Sequence, residues 1–189
     1  MAFAEKIEGQ RIILERPPLS FELAEELLKS VEESRNDMLP WLRWAATNKK
    51  PEDEYGWLLN WSEKHWQEDS GYAYIIKKKA DGKLLGSIDV VTADYTNKHC
   101  EIGYWLRSSE VGNGYMHEAV SLLEKEAFTR GFNRIIIRND VRNLRSANVA
   151  AKAGYHLDGI MRQDSYSEHE KCFVSHNIWS KLKEEYNPD

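Results

Sequence analysis

Two glycines one residue apart, Gly112 and Gly114, separate a run rich in aromatic and β-branched residues at 100–107 from a segment whose apolar residues recur at helical spacing: Met116, Ala119, Val120, Leu123 and Ala127. This junction constrains the fold more than any other feature. It predicts a strand, a tight turn, and a helix that opens directly from the turn and ends near Gly131. The buried-strand pattern Ile135-Ile136-Ile137 follows, so residues 100–138 read as a crossover joining parallel strands. Glycine lets the backbone approach an anion closely. A helix start adds unpaired N–H donors and a positive dipole end. The turn Val111-Gly112-Asn113-Gly114-Tyr115-Met116 therefore predicts a cradle for a diphosphate-like group. It is neither a P-loop, since no GxxxxGK[ST] occurs, nor GxGxxG, since His117 stands where the third glycine would be.

The rest of the chain predicts one domain over residues 1–189. A strand at 10–16 stops at Pro17-Pro18, and a helix over 20–34 starts at Ser20 and ends at Asn36-Asp37. A second helix begins at Pro51, with Tyr55, Leu58, Leu59 and Trp66 as its buried stripe. Strands are expected at 72–78, 84–92 and 100–107, the first two joined by a turn at Ala80-Asp81-Gly82. After the crossover come a short helix at 146–153 and strands near 156–165 and 171–180. The fold class is therefore α+β (mixed α/β): a central, mostly antiparallel sheet of about seven strands flanked by about four helices.

Composition narrows the function. A net charge of -5 argues against a nucleic-acid partner and permits an amine-bearing one. Two cysteines, no apolar run of membrane length and no signal-like start predict a cytoplasmic protein with no membrane partner. The six histidines form no metal signature. Five of the seven tryptophans fall between Trp41 and Trp66. Trp57, Trp61 and Trp66 have helical spacing, whereas Trp41 and Trp44 lie between helices and either wall a pocket or pack inside. Lys77-Lys78-Lys79 reads as a solvated strand end, with a phosphate dock as the other reading.

One strand beyond the glycine turn lies Asn143-Leu-Arg-Ser146-Ala-Asn148-Val-Ala-Ala-Lys152-Ala-Gly154-Tyr155. With Pro40-Trp-Leu-Arg-Trp44, Glu101-Ile-Gly-Tyr-Trp105 and Gly112-Asn-Gly-Tyr115, this run resembles the GNAT acetyltransferase superfamily, RimJ/RimL type. The resemblance implies a GNAT-like fold and acetyl-CoA as co-substrate without a metal. It implies that Trp105, Leu106 and Arg107 present backbone groups to the pantetheine arm and that Val111 through Met116 hold the pyrophosphate. It places Asn143 at the pantetheine end and Ser146 near the thiol. The turn departs from the family pattern at Val111, usually Gln or Arg, and at Met116, usually Gly or Ala. Some relatives carry a carboxylate near position 165, where this chain has Ser165 beside Asp164. A homodimer is a further expectation.

Acetyl transfer to an amine needs a neutral nucleophile, a stabilised thioester oxygen and a partner for the departing thiolate. An α-amine of reference pKa about 7.7–8.0 is about 10–20% neutral at pH 7, whereas a lysine near 10.4 is neutral to roughly 0.04%. A protein N-terminal α-amine is thus the favoured acceptor. An antibiotic, polyamine or aminoacyl-nucleotide is the second reading, and a non-catalytic acyl-CoA binder the third. Glu101 is the expected base, the other reading being a solvated strand carboxylate; Ser146 is the expected stabiliser of the leaving sulfur, or an ordinary helix-start residue. Trp41, Trp44, Tyr74 and Asp89 are the candidate acceptor contacts, each with a structural alternative.

Overall fold

The computed structural model describes residues 3–187; the end residues of the expected domain, 1–2 and 188–189, lie outside the described residues. An eight-stranded sheet forms the centre, in the order β1-β2-β3-β4-β5-β6-β8-β7. Its strands are β1 (Lys6–Glu8), β2 (Ile12–Glu15), β3 (Tyr72–Lys78), β4 (Leu84–Asp94), β5 (His99–Leu106), β6 (Arg134–Asp140), β7 (His156–Ser167) and β8 (Cys172–Leu182). Neighbours are antiparallel except β5 and β6, which run parallel through the expected crossover. The strand missing from the sequence reading is β1, three residues with charge at both ends and no apolar alternation.

One face carries α5 (Tyr115–Thr129) and α6 (Leu144–Lys152). The main core lies beneath α5, where Met116, Ala119, Val120, Leu123 and Ala127 meet Ile88, Val90, Cys100, Ile102, Ile135 and Ile137. Those strand residues alternate, as period-2 side-chain geometry requires. The other face carries α1 (Phe21–Met38), α2 (Trp44–Thr47), α3 (Pro51–Trp57), a π-helical stretch (Leu58–Glu63) and α4 (Lys64–Glu68). Ser20 caps α1 by accepting from the Leu23 N–H at 3.1 Å. Asn36-Asp37 does not end α1, which continues to Met38 because that side chain is buried against Val31 and Ala45. The expected stripe of the second helix is corrected at Leu59, which is exposed while Leu58 and Trp66 are buried. The π-helical stretch has more residues per turn, so it moves Leu59 off the buried face.

Candidate active site

The parallel pairing of β5 with β6 stops at Ile102 and Ile137. Beyond it the strands part, and a cavity of about 310 Å³ opens between Gly103–Leu106 of β5 and Arg138–Asp140 of β6. The size suits part of a ligand of cofactor dimensions. Val111 and Met116 line the cavity at the α5 end, Asn143 and Ser146 on α6, and Trp41 after α1.

Strand alternation decides which backbone groups reach the opening. The Arg107 N–H donates to Leu85 O at 2.8 Å, which turns residue 107 toward β4. Trp105 shares that orientation two residues earlier, opposite Ser87. The backbone donors of Trp105 and Arg107 are thus directed to the sheet, and those of Tyr104 and Leu106 face the open edge. The Arg107 side chain also turns away from the cavity, with Nε 3.3 Å from Glu33 and Nη1 3.3 Å from Leu84 O.

Gly112 and Gly114 take φ values of 89° and 78°, the left-handed region that favours glycine. No side chain caps α5 at Gly114, so the N–H groups of its first turn are left for an external acceptor. The turn is pinned from below by Arg11, which precedes β2. Its Nη1 donates to Asn113 O at 2.8 Å, its Nε to Glu118 at 2.8 Å, and its guanidinium stands 5.0 Å from the Tyr115 ring centroid. Arg11 is far from the turn in sequence and carried no motif that could have marked it. Lys77, Lys78 and Lys79 each pair with a carboxylate, on Glu15, Asp81 and Glu8, as a solvated strand end would.

Asn143 caps α6 by accepting from the Ser146 N–H at 3.1 Å. The Ser146 hydroxyl lies 3.0 Å from that of Tyr104. Burial pushes the Tyr104 phenol up to about 12, against the smaller opposing effect of Ser146, so it remains a proton donor throughout the physiological range. Tyr104 shares the alternating face of Ile102, a signal in the sequence that could have found it.

The expected acceptor contacts do not all converge. Trp41 lines the cavity and Arg142 stands 5.8 Å over its ring. Trp44 is not among the lining residues and packs edge-on against Trp105 with centroids 5.8 Å apart. Tyr74 is fully buried, its hydroxyl donating to Ala4 O at 2.7 Å in the core. Asp89 also lies outside the cavity lining. Its residue keeps some exposed surface, but its Oδ1 is shielded and without a partner, and desolvation pushes its carboxyl up to about 8. Glu101 is likewise not a lining residue; its carboxylate sits 3.4 Å from Arg138.

Other cavity residues were not foreseen. Asp140 binds Arg142 at 2.7 Å, and despite burial that contact holds its carboxyl below the usual range. Asp37 lies 3.9 Å from Arg145. His176 on β8 faces Asp140 in register and bonds Asp164. Among the described residues no group of His, Cys, Asp and Glu could hold a metal, and no helix is long and apolar enough to cross a membrane.

Comparison with known proteins agrees with this geometry. The chain is 32% identical over 97 residues to the ribosomal-protein-serine acetyltransferase of Escherichia coli (strain K12), a match spanning 51% of this chain and 54% of that protein. It is 33% identical over 100 residues to the protein of Bacillus subtilis (strain 168) named 'Probable N-acetyltransferase YjcK', spanning 52% and 55%. The chain therefore spans about half the length of these curated relatives. Among solved structures, the microcin C7 self-immunity acetyltransferase MccE, in complex with acetyl-CoA and AMP, matches with a TM-score of 0.85 and 26% identity over 92% of this chain and 93% of that one. RimL, the ribosomal L7/L12 α-N-protein acetyltransferase in complex with coenzyme A, shares the fold with a TM-score of 0.87 at 21% identity, covering 96% and 100%. The family model described as the acetyltransferase (GNAT) domain matches residues 11–156, and the chain belongs to that family.

Proposed function

We propose that this protein transfers the acetyl group of acetyl-CoA to an α-amine, most simply the N-terminus of a protein. The observation that carries the reading is the opening between β5 and β6 beside the uncapped start of α5. The free N–H groups at Gly112–Met116 would hold the diphosphate. The Tyr104 and Leu106 backbone groups would run along the pantetheine and, at its end, meet the thioester oxygen. The Tyr104–Ser146 hydroxyl pair would donate to the departing sulfur. The Escherichia coli relative carries a name for this kind of reaction.

Trp41 supports a second acceptor class. A half-exposed indole with a guanidinium over it suits a flat ring, and MccE binds AMP together with acetyl-CoA. An aminoacyl-nucleotide also presents an α-amine, so both readings share one chemistry. Thiol release from acetyl-CoA, measured over N-terminal peptides, lysine peptides, polyamines and aminoacyl-nucleotides, tests the proposal. Turnover with α-amines above that with lysine peptides is expected. Coenzyme binding without turnover on any amine would leave a binding module instead.

A further inference from the structure

Two of the carboxylates lining the cavity lie beside a cation, Asp140 at 2.7 Å from Arg142 and Asp37 at 3.9 Å from Arg145. Despite burial, the Arg142 contact holds the Asp140 carboxyl below its usual range, which makes it a poor proton acceptor. His176 has the opposite partner. Its Nδ1 lies 2.7 Å from Asp164 Oδ1, with only 21% of the His176 side chain and 12% of the Asp164 side chain exposed. A carboxylate can only accept, so in the neutral imidazole the ring proton sits on Nδ1 and Nε2 keeps its lone pair. His176 lines the cavity, and no hydrogen bond to Nε2 is found among the described residues.

The backbone is shaped to make this pair. Met161 faces His176 and Ser165 faces Val174, so three residues of β7 bulge against one of β8. Gln163 within the bulge has φ 51°, a left-handed conformation costly for a residue with a side chain, and its N–H is held by the Ser175 hydroxyl at 2.9 Å. Such bulges re-aim side chains next to active sites. Here the bulge brings Asp164 back onto His176.

The pair lies on the side of the sheet away from α5. Ile135 and Ile137 face α5, so by alternation Arg138 and Asp140 face the other way, and His176 lies beside Asp140 in register. Arg142 bridges Asp140 to Glu170 and stands over Trp41. Trp41, the aromatic wall, is therefore linked to His176 through Arg142 and Asp140. The charged groups around the imidazole are Asp164 on β7, Asp140 on β6, and Arg142, Arg138 and Glu170 beyond them.

Resting on the acetyltransferase reading above, we infer that His176, oriented by Asp164, is the base that takes the proton from the acceptor ammonium. The ammonium N–H proton passes to Nε2 and frees the nitrogen pair. That pair forms the C–N bond to the thioester carbon. The C–S bond then breaks with its electrons on sulfur, the thiolate takes the second amine proton, and the imidazolium returns its proton to solvent. The match is chemical: an ammonium of reference pKa about 8 gives its proton to an imidazole of reference pKa about 6.5 far more readily than to a carboxylate near 4.

The test uses the full chain and the α-amine substrate found by thiol release. His176→Ala should bind acetyl-CoA as the unsubstituted protein does, with kcat about 100-fold lower at pH 7. Its remaining rate should climb with pH as the amine deprotonates unaided, and added imidazole should restore turnover. Asp164→Asn leaves the histidine but removes the negative charge behind Nδ1 and offers an amide that can donate to the ring as well as accept from it. It should lower kcat about tenfold and change the pH profile while KM for acetyl-CoA stays put. Unchanged kcat and pH profile in both variants would overturn the base assignment, as would loss of turnover in His176→Ala that neither pH nor imidazole restores while Asp164→Asn behaves as the unsubstituted protein. Absence of thiol release by the unsubstituted protein with every amine would instead overturn the acetyltransferase reading, and the base assignment with it.

Discussion

The Tyr104 phenol lies 3.0 Å from the Ser146 hydroxyl, tying the middle of the sheet to the first turn of α6 across the cavity. A phenol pushed up to about 12 by burial stays protonated and can stabilise a thiolate as it leaves. Tyr104→Phe keeps the ring packing and removes the donor. Its kcat should fall about 10- to 100-fold, with acetyl-CoA affinity changed little, as stopped-flow turnover and equilibrium titration would show.

A second pair governs stability. The Lys181 ammonium bonds the Glu124 carboxylate and donates to Ala153 O at 2.9 Å, with side-chain exposures of 13% and 3% for Lys181 and Glu124. Burial raises the Glu124 carboxyl, and Lys181 only partly offsets it. Lys181→Met leaves that carboxylate without its counter-charge and should cost about 3–5 kcal/mol in urea unfolding. Adding Glu124→Leu should recover most of the loss, since a buried pair is replaced rather than broken.

Asp89 predicts a pH dependence of stability. Desolvation raises its folded value to about 8 from an ordinary 3.8, so between those values the folded chain binds a proton that the unfolded chain has released. Its contribution is therefore greatest below pH 4, fades as pH rises toward 8, and is constant above. Asp89→Asn removes this titration. Its unfolding free energy should gain on that of the unsubstituted protein by at most about 1.4 kcal/mol per pH unit between pH 5 and 8, read from denaturant curves at each pH.

Coenzyme and acceptor affinities should separate by mutation. Gly114 has φ 78°, and a Cβ there would meet Arg11 at 3.4 Å. Gly114→Val should distort the turn and weaken acetyl-CoA binding about tenfold or more, a left-handed non-glycine residue costing roughly 1–2 kcal/mol. Trp41→Ala should raise the acceptor KM about tenfold and leave the KM for acetyl-CoA unchanged, because Trp41 lines the cavity on the side away from α5.

What the sequence by itself determined was local. The glycine pair demanded a tight turn, which the structure makes with both glycines left-handed, the apolar residues at helical spacing demanded α5, and the three isoleucines demanded a buried strand; period and turn chemistry are read over a few neighbours. The family signatures lie in or beside these same stretches, and Asn143, Ser146 and Met116 among them line the cavity. What only the tertiary structure decided depends on contacts between distant segments. The parting of β5 from β6 made the cavity. Long-range packing took Tyr74 into the interior, Trp44 against Trp105, Arg11 to the glycine turn and Glu101 to Arg138. A bulge between β7 and β8 set Asp164 on His176. Asp164 is marked in the sequence only as the neighbour of Ser165, and its pairing with His176 is not marked at all, since a hydrogen bond across 12 positions depends on strand register, and no local propensity encodes it.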